Sequence, residues 1–295
     1  MTLSLDTHDG PAPGARSARR ARRGVARAGQ PLRPASGAAL GVVVLWLSLL
    51  VLLPLAAVVG RAFGRGGSGF WSAVTDPETA AALKLTLALA VGVAIVGAVM
   101  GTIVAWVLVR EPFPGSRALE LVIDIPFALP TVVAGVVMLA VYGGQTALAP
   151  NLVGTRVGLF VTLLFVTLPF TVRTVQPVLL DLDRDAEQAA ASLGAAPSVV
   201  FRRIVLPQIL PAVASGAALA FARALGEYGS LVFISSNLPF RTEVASVLIY
   251  GKLQDADHPG IATQQAAAIS TVLLLASALV LGLLDLIQRR VARRG

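Results

Sequence analysis

The 295-residue chain has no cysteine and only two histidines, His8 and His258. The lack of cysteine excludes disulfides, thiolate metal sites and a cysteine nucleophile. The two histidines are far apart in the sequence, which argues against a histidine metal cluster. Charged residues make up 14% of the chain and hydrophobic residues 56%, whereas soluble domains carry about 25% charged residues. This composition indicates an all-α polytopic membrane protein with little chain left for a soluble domain.

Lysine is also scarce, since Lys84 and Lys252 are the only two. Neither lies in a phosphate-cradling GxxxxGK[ST] loop, so we expect the chain not to hydrolyse ATP by itself. We also expect it to carry no cofactor, no metal and no catalytic residue. The net charge of +8 comes almost wholly from arginine. Because these arginines flank apolar segments, they favour contact with the inner leaflet of a membrane, and we expect lipid and no nucleic acid as their partner.

Six stretches are long and apolar enough to cross a bilayer, which takes about 20 residues. They define a predicted membrane domain over residues 36–290, and an Arg-rich tail over residues 1–35 is predicted to be disordered. A signal peptide is excluded for residues 34–60, because that uncharged run exceeds an h-region of about 7–15 residues. Prolines at 126, 130, 169 and 177 predict breaks near or inside the membrane. The predicted spans are residues 38–59, 83–109, 125–142, 157–178, 209–235 and 261–284.

Arginine placement predicts the orientation. With the N-terminus inside, cytoplasmic segments hold most of the arginines, including the tail, the 183–207 loop and the C-terminus, and the outer segments hold few. The positive-inside rule therefore places both termini in the cytoplasm. Arg173 ends the uncharged run of the fourth span, and we expect it to snorkel to the inner face.

The 183–207 loop, DRDAEQAAASLGAAPSVVFRRIVLP, is a polar interruption between the fourth and fifth spans. Asp183 or Asp185 predicts a helix cap, with Gln188 placed for a capping box. Gly194 suits a left-handed helix end. Pro197 suits the first turn of a second short helix over residues 198–206, which we expect Pro207 to close.

This loop resembles the signature loop of bacterial ABC importer permeases, although Gln188 stands where that family usually has Glu, with Glu187 beside it. The resemblance implies a type I ABC importer permease fold with six transmembrane helices, in which the loop is a cytoplasmic coupling helix that docks on an ATPase subunit. The residues implied in coupling are Glu187, Gln188, Ala189, Ala190, Gly194, Ile204, Leu206 and Pro207.

The phrase FARALGEYGS in the fifth span places two opposite charges, Arg223 and Glu227, four residues apart and hence on one helix face. A charge at that depth needs a partner or water. Two interpretations stay open: a pair that only neutralises itself and fixes packing, or an arginine that faces an aqueous path for an anion. Tyr228 and Ser230 are further candidates for that path. In the outer segment 241–262, composition favours a solvated loop over a docking surface.

FARALGEYGS and the segments around it are similar to the T-type permeases of sulfate/thiosulfate ABC importers, over roughly residues 37–290. That resemblance implies an inner-membrane subunit that moves sulfate or thiosulfate. The implied partners are a homologous W-type permease, a cytoplasmic ABC ATPase dimer, and a periplasmic or lipid-anchored sulfate-binding protein. A molybdate/tungstate importer permease is the alternative.

Two other classes of function fit less well. An intramembrane enzyme would pair Glu227 with Asp124 or Glu120, but these carboxylates belong to opposite ends of their predicted spans. A purely structural or sensory membrane subunit would leave the 183–207 loop without a role.

Overall fold

The computed structural model describes residues 34–111, 113–144 and 150–292. Within these residues every regular element is helical, which confirms the all-α prediction. Residues 1–33 of the predicted tail lie outside the described residues, and so do Arg293 and Arg294. The chain divides into two compact units, residues 1–55 and 56–295. The candidate functional sites all lie in the second unit.

Thirteen α-helices follow one another along the described residues. They are α1 (Pro34–Leu47), α2 (Leu53–Ala62), α3 (Gly66–Thr75), α4 (Pro77–Arg110), α5 (Ser116–Ala128), α6 (Thr131–Tyr142), α7 (Arg156–Asp181), α8 (Asp185–Ser192), α9 (Pro197–Val200), α10 (Leu206–Leu225), α11 (Leu231–Ile234), α12 (Ala245–Leu253) and α13 (Pro259–Ala292), with π-helical turns at Ser48–Leu52 and Phe201–Val205.

Five described stretches are long and apolar enough to cross a membrane, or six if the bent pair α5 and α6 counts as one span. The longer count agrees with the six-span prediction. Asp76 caps α4 by accepting from the Thr79 amide, and Thr155 caps α7 by accepting from the Gly158 amide. The five stretches are Ala39–Ala62, Pro77–Arg110, Arg156–Asp181, Pro197–Leu225 and Pro259–Arg290.

The third span is broken at Pro130, as that proline predicted, whereas Pro126 stays inside α5. Helices α5 and α6 meet at a bend of 117°. The cause is local: Pro130 disfavours the helical region for the residue before it, and Leu129 is extended with φ −79° and ψ 134°. Pro169 and Pro177, in contrast, stay inside the continuous helix α7.

Helix α7 forms the centre of the second unit, because it packs against α4 and α10, which also pack against each other. Small residues allow this close approach. A Cβ on Gly101 of α4 would lie 2.7 Å from Thr171 Cβ, and one on Gly216 of α10 would lie 2.7 Å from Thr171 Cα. Three helices therefore cross at Thr171.

The fifth span ends earlier than the predicted 209–235. Helix α10 stops at Leu225, Gly226 caps it, and residues 227–230 form a turn before the short α11. Gly229 is required in this turn, because a Cβ there would collide with the Thr131 hydroxyl at the start of α6. The chain is therefore irregular where the fifth span meets the broken third span.

Candidate functional sites

The 183–207 loop folds into two short helices around a glycine corner. Gly194 has φ +82°, which confirms the left-handed helix end. The Ala195 amide donates to the Ala190 carbonyl at 3.1 Å, and the Gly194 amide donates to the Ala191 carbonyl at 2.9 Å. This is the Schellman pattern of a helix C-terminus.

Two local expectations for this loop are wrong. Helix α8 begins at Asp185 without a side-chain cap, because the Asp183 carboxylate accepts from the Asp185 amide instead, at 2.9 Å. The capping box is therefore not formed. Pro207 does not close a helix, since residues 197–225 continue through the π-helical turn Phe201–Val205 into α10. Pro207 lies in the first turn of α10, where a missing amide is tolerated.

A clasp of four residues, Trp106, Arg110, Glu187 and Phe201, joins the loop to the end of α4. Arg110 Nη2 lies 2.6 Å from Glu187 Oε1, and these side chains are only 9% and 18% exposed. The Arg110 guanidinium lies 5.3 Å from the centre of the Trp106 ring. The Phe201 ring packs edge-on against Trp106 at 5.3 Å. Glu187 therefore binds within the chain rather than projecting outward.

The remaining predicted coupling residues form an outward surface. Gln188, Ala189, Gly194 and Pro207 are exposed, and Ala190, Ile204 and Leu206 are half-buried. Leu193 lies beside the corner and is 89% exposed. Sequence reasoning missed Leu193 and the clasp. An arginine at the end of an uncharged span and an acidic residue, Glu187, in a loop predicted on the same side were the available signal for the clasp.

Arg223 and Glu227 pair, although Glu227 lies in the turn beyond the helix and not on one helix face with Arg223. Arg223 Nη1 is 2.6 Å from Glu227 Oε2, and the exposed fractions are 31% and 1%. The Ser230 amide and hydroxyl both donate to Glu227 Oε1 at 2.9 Å. The Ser246 hydroxyl donates to the Glu227 carbonyl at 2.6 Å. Glu227 is thus a fixed, fully buried carboxylate, and Arg223 is the partly accessible partner.

Tyr228 and Ser230 both have partners within the chain. Ser230 is fully buried, and its hydroxyl is directed to Glu227. The Tyr228 ring packs against the Tyr250 ring at 5.0 Å. Of the four residues predicted for a path, only Arg223 combines charge with access.

Arg173 has partners on the neighbouring helix α5. Its Nε donates to Asp124 Oδ1 at 2.8 Å and its Nη2 donates to Asp124 Oδ2. Gln176 accepts from Arg173 and donates to Glu120, both at 2.8 Å. This network holds α5 against α7. It engages Asp124 and Glu120, one of which an intramembrane enzyme would have paired with Glu227.

The outer segment 241–262 is not a solvated loop as composition suggested. Helix α12 buries Ala245, Val247 and Leu248 against α4 and α13. The Ala245 amide donates to the buried Thr86 hydroxyl at 2.8 Å. The apolar run thus packs on protein.

Comparisons with known proteins agree with this architecture. Residues 97–294 match the family described as "Binding-protein-dependent transport system inner membrane component". The chain is 41% identical over 256 residues to the "Sulfate transport system permease protein CysT" of Synechocystis sp., covering 84% of this chain and 87% of that protein. It is 40% identical over 262 residues to the protein of the same name from Salmonella typhimurium, covering 86% and 93%.

Solved structures show the same fold. A bacterial alginate ABC transporter, solved in complex with an alginate pentasaccharide-bound periplasmic protein, aligns with a TM-score of 0.70 and 17% identity, covering 86% of this chain and 93% of that one. The fold is therefore that of type I ABC importer permeases. The chain belongs to the binding-protein-dependent transport system inner membrane component family.

Proposed function

We propose that this chain is a membrane-spanning permease subunit of an ATP-driven importer that carries sulfate, and thiosulfate where a binding protein delivers it, into the cell. The observation that carries the proposal is the identity of about 40% over nearly the whole length to proteins named as sulfate transport permeases. These relatives are named for sulfate and not for molybdate, which favours sulfate over the molybdate alternative.

We infer the partners from the fold and from the family. A homologous W-type permease would complete the pathway, an ABC ATPase dimer would contact the 183–207 loop, and a periplasmic or lipid-anchored binding protein would deliver the anion. The alginate transporter supports the kind of outer partner, since it was solved with a periplasmic protein. Leu193 supports the inner partner, because an apolar side chain 89% exposed beside a rigid corner suits a protein groove.

In this proposal both termini are cytoplasmic and the cycle is alternating access. ATP binding closes the ATPase dimer and moves the 183–207 loop, and the clasp carries that movement to α4. The permease then exchanges inward-open and outward-open states, with the ATPase binding the two states differently. Arg223 lowers the barrier for a dianion. Glu227 limits its affinity, because transit requires release.

The test is uptake of labelled sulfate by cells that lack this chain and by the same cells with the chain restored. Unlabelled thiosulfate and molybdate are added as competitors. We expect loss of sulfate uptake without the chain, rescue on restoration, and competition by thiosulfate.

Unchanged sulfate uptake with lost molybdate uptake would transfer the chain to the molybdate alternative. Uptake of both anions unaffected, in a strain without another importer for them, would contradict an oxyanion substrate.

A further inference from the structure

A cavity of about 300 Å³ opens at the outer end of the chain, away from Arg223 and the 183–207 loop. It lies between the first turns of α4, the start of α7 and the loop that precedes α12. Its lining residues are Ala81, Lys84, Leu85, Ala88, Arg156, Phe240 and Glu243. Two of these are cations and one is an acid, so three charged side chains border a cavity whose other lining residues are apolar.

Neither cation is neutralised. Within the part of the chain that the structure describes, Lys84 and Arg156 form no ion pair. Arg156 Nε donates to the Arg241 carbonyl at 3.0 Å, and Nη2 approaches the Phe240 carbonyl at 3.4 Å. These carbonyls orient the guanidinium and leave its charge available. Lys84 is exposed on α4, one turn below Ala81.

The loop that orients Arg156 is strained and firmly held. Phe240 has φ +62° and Asn237 has φ +49°, and residues other than glycine rarely adopt this region of backbone conformation. Thr242 compensates: its carbonyl accepts from Ser235 Oγ at 2.8 Å and its hydroxyl lies 3.0 Å from Ser236 Oγ. Strain of this kind persists where the surrounding structure fixes it, and it is concentrated at functional sites.

Glu243 completes the lining. Its Oε2 is buried and has no hydrogen-bond partner among the described residues. Glu78 and Lys252, which pair with each other at 3.4 Å, are close enough to act on it electrostatically. A carboxyl group in this position reduces the net positive charge of the cavity and is a further polar atom directed at its contents.

We propose that Lys84 and Arg156 form an oxyanion-receiving site at the outer mouth of the permease, in which a tetrahedral dianion is held before it enters the membrane. This deepens and rests on the proposed function. The cavity has room for the ion and several waters, at about 30 Å³ per water. Two cations offset by one acid give capture without tight retention, as transit requires.

The lysine content provides a direct assay. Lys84 and Lys252 are the only lysines, so each can be followed separately by mass spectrometry after brief acetylation of the purified complex. We expect sulfate to slow acetylation of Lys84 by about tenfold relative to the same ionic strength of chloride. Lys252 lies outside the cavity lining and should react at the same rate in both salts.

Variants separate the site from nonspecific screening. Arg156→Gln should abolish the sulfate protection of Lys84, and Arg156→Lys should keep part of it. Glu243→Gln should lower the sulfate concentration needed for half-protection, since it removes an opposing charge. Equal protection of Lys84 by chloride, or weaker protection in Glu243→Gln, would overturn the proposal.

A phospholipid phosphate carries the same chemistry, so the assay is repeated after adding phosphatidylglycerol in place of sulfate. Protection of Lys84 by the lipid and not by sulfate would overturn the proposal in favour of a lipid site.

Transport tests the site without disturbing the loop that Arg156 holds. Lys84→Gln should lower the initial rate of uptake at low sulfate by about tenfold, and the loss should shrink as sulfate approaches saturation. Arg65→Gln, on a separate outer cavity, is the control and should transport normally. Normal uptake by Lys84→Gln at low sulfate would contradict the site and leave the proposed function intact. If the wild-type chain moves no sulfate, the proposed function fails, and the acetylation assay still reports whether an oxyanion binds.

Discussion

At the scale of single residues, Arg223 and Glu227 cannot be altered independently. Glu227 is 1% exposed and relies on Arg223 for charge compensation. Breaking a buried pair by removing one partner costs about 3–5 kcal/mol, whereas replacing both partners costs far less. A loss of transport in Arg223→Gln alone would therefore mix misfolding with function.

The matched test is the double variant Arg223→Gln with Glu227→Gln. We expect it to assemble and to hydrolyse ATP with the partner subunits but to lose sulfate uptake, because the cation that faces the anion is gone. Arg223→Gln alone should have a markedly lower melting temperature in detergent. Normal uptake by the double variant would show that the pair only neutralises itself and fixes packing.

Glu243 should make stability depend on pH. Its pKa is raised above the ordinary value of 4.5, first by burial and then by the neighbouring Glu78 carboxylate, while Lys252 opposes the rise. Between the ordinary and the raised pKa the folded state binds more protons than the unfolded state. The stabilisation is therefore complete below pH 4.5 and is lost as the pH rises through the raised value.

The measurement is the melting temperature of the purified protein at several pH values, compared between the wild type and Glu243→Gln. The melting temperature of Glu243→Gln should rise relative to that of the wild type as the pH increases above 4.5. The difference should then become constant. Parallel profiles for the wild type and Glu243→Gln would contradict the raised pKa.

Residue spacing alone predicted the pairing of Arg223 with Glu227, because opposite charges in a low-dielectric environment have few alternatives. It could not predict that the Ser230 hydroxyl donates a hydrogen bond to Glu227, since that bond depends on a turn after Leu225. It did not predict the partner of Arg173, because Asp124 is distant in sequence and comes within reach only where α5 packs against α7.

At the scale of elements, the left-handed corner at Gly194 should matter through its backbone alone. A Cβ there would meet nothing within 4 Å, but φ is +82°. A non-glycine residue in this conformation costs about 1–2 kcal/mol, least for Asn and most for a β-branched residue.

We expect Gly194→Val to reduce co-purification of the ATPase subunit more than Gly194→Asn does, with membrane insertion unchanged in both. Gly251→Val, at a helical position with equally open space, is the control and should recruit the ATPase normally. Equal recruitment by all three variants would count against the loop as the docking element.

The meeting of α6 with the turn 227–230 depends on small residues. A Cβ on Gly135 would lie 2.8 Å from the Ser230 carbonyl oxygen, which is backbone and cannot swing away. Overpacking of this kind costs about 1–3 kcal/mol. Gly135→Ala should therefore lower the melting temperature and displace Glu227 from its serine donors.

Gly226→Ala is the matched control, because a Cβ there meets nothing within 4 Å. We expect the control to melt close to the wild type and to keep sulfate uptake. If Gly135→Ala were as stable as Gly226→Ala, α6 would not be fixed against this turn.

The lengths of the apolar runs predicted which segments form helices, and Gly194 predicted the left-handed end of α8. The ends of the third and fifth spans did not follow. A hydropathy window averages away the bend at Leu129–Pro130, which only the proline predicted, and the turn after Leu225 is fixed by contact with Thr131 on another span.

At the scale of the whole molecule, the sequence predicted the class of protein better than its sites. Apolar content predicted an all-α membrane protein, and the resemblance of the 183–207 loop and of FARALGEYGS to known permeases predicted the family. The outer cavity was not predictable, since Lys84, Arg156 and Glu243 belong to three separate segments. Only the packing of α12 and its preceding loop brings them together.

The clasp determines how the subunit responds to force. The 183–207 loop runs directly into α10, and Glu187 is ion-paired to Arg110, the last residue of α4. A rigid displacement of the loop therefore displaces the inner ends of two spans together. Both spans cross α7 at Thr171, where α4 has Gly101 and α10 has Gly216, so that neither span places a side chain of its own between itself and α7. In the proposed orientation we expect this crossing to act as a pivot, so that a movement of the 183–207 loop is returned as an opposite movement at the far ends of α4 and α10.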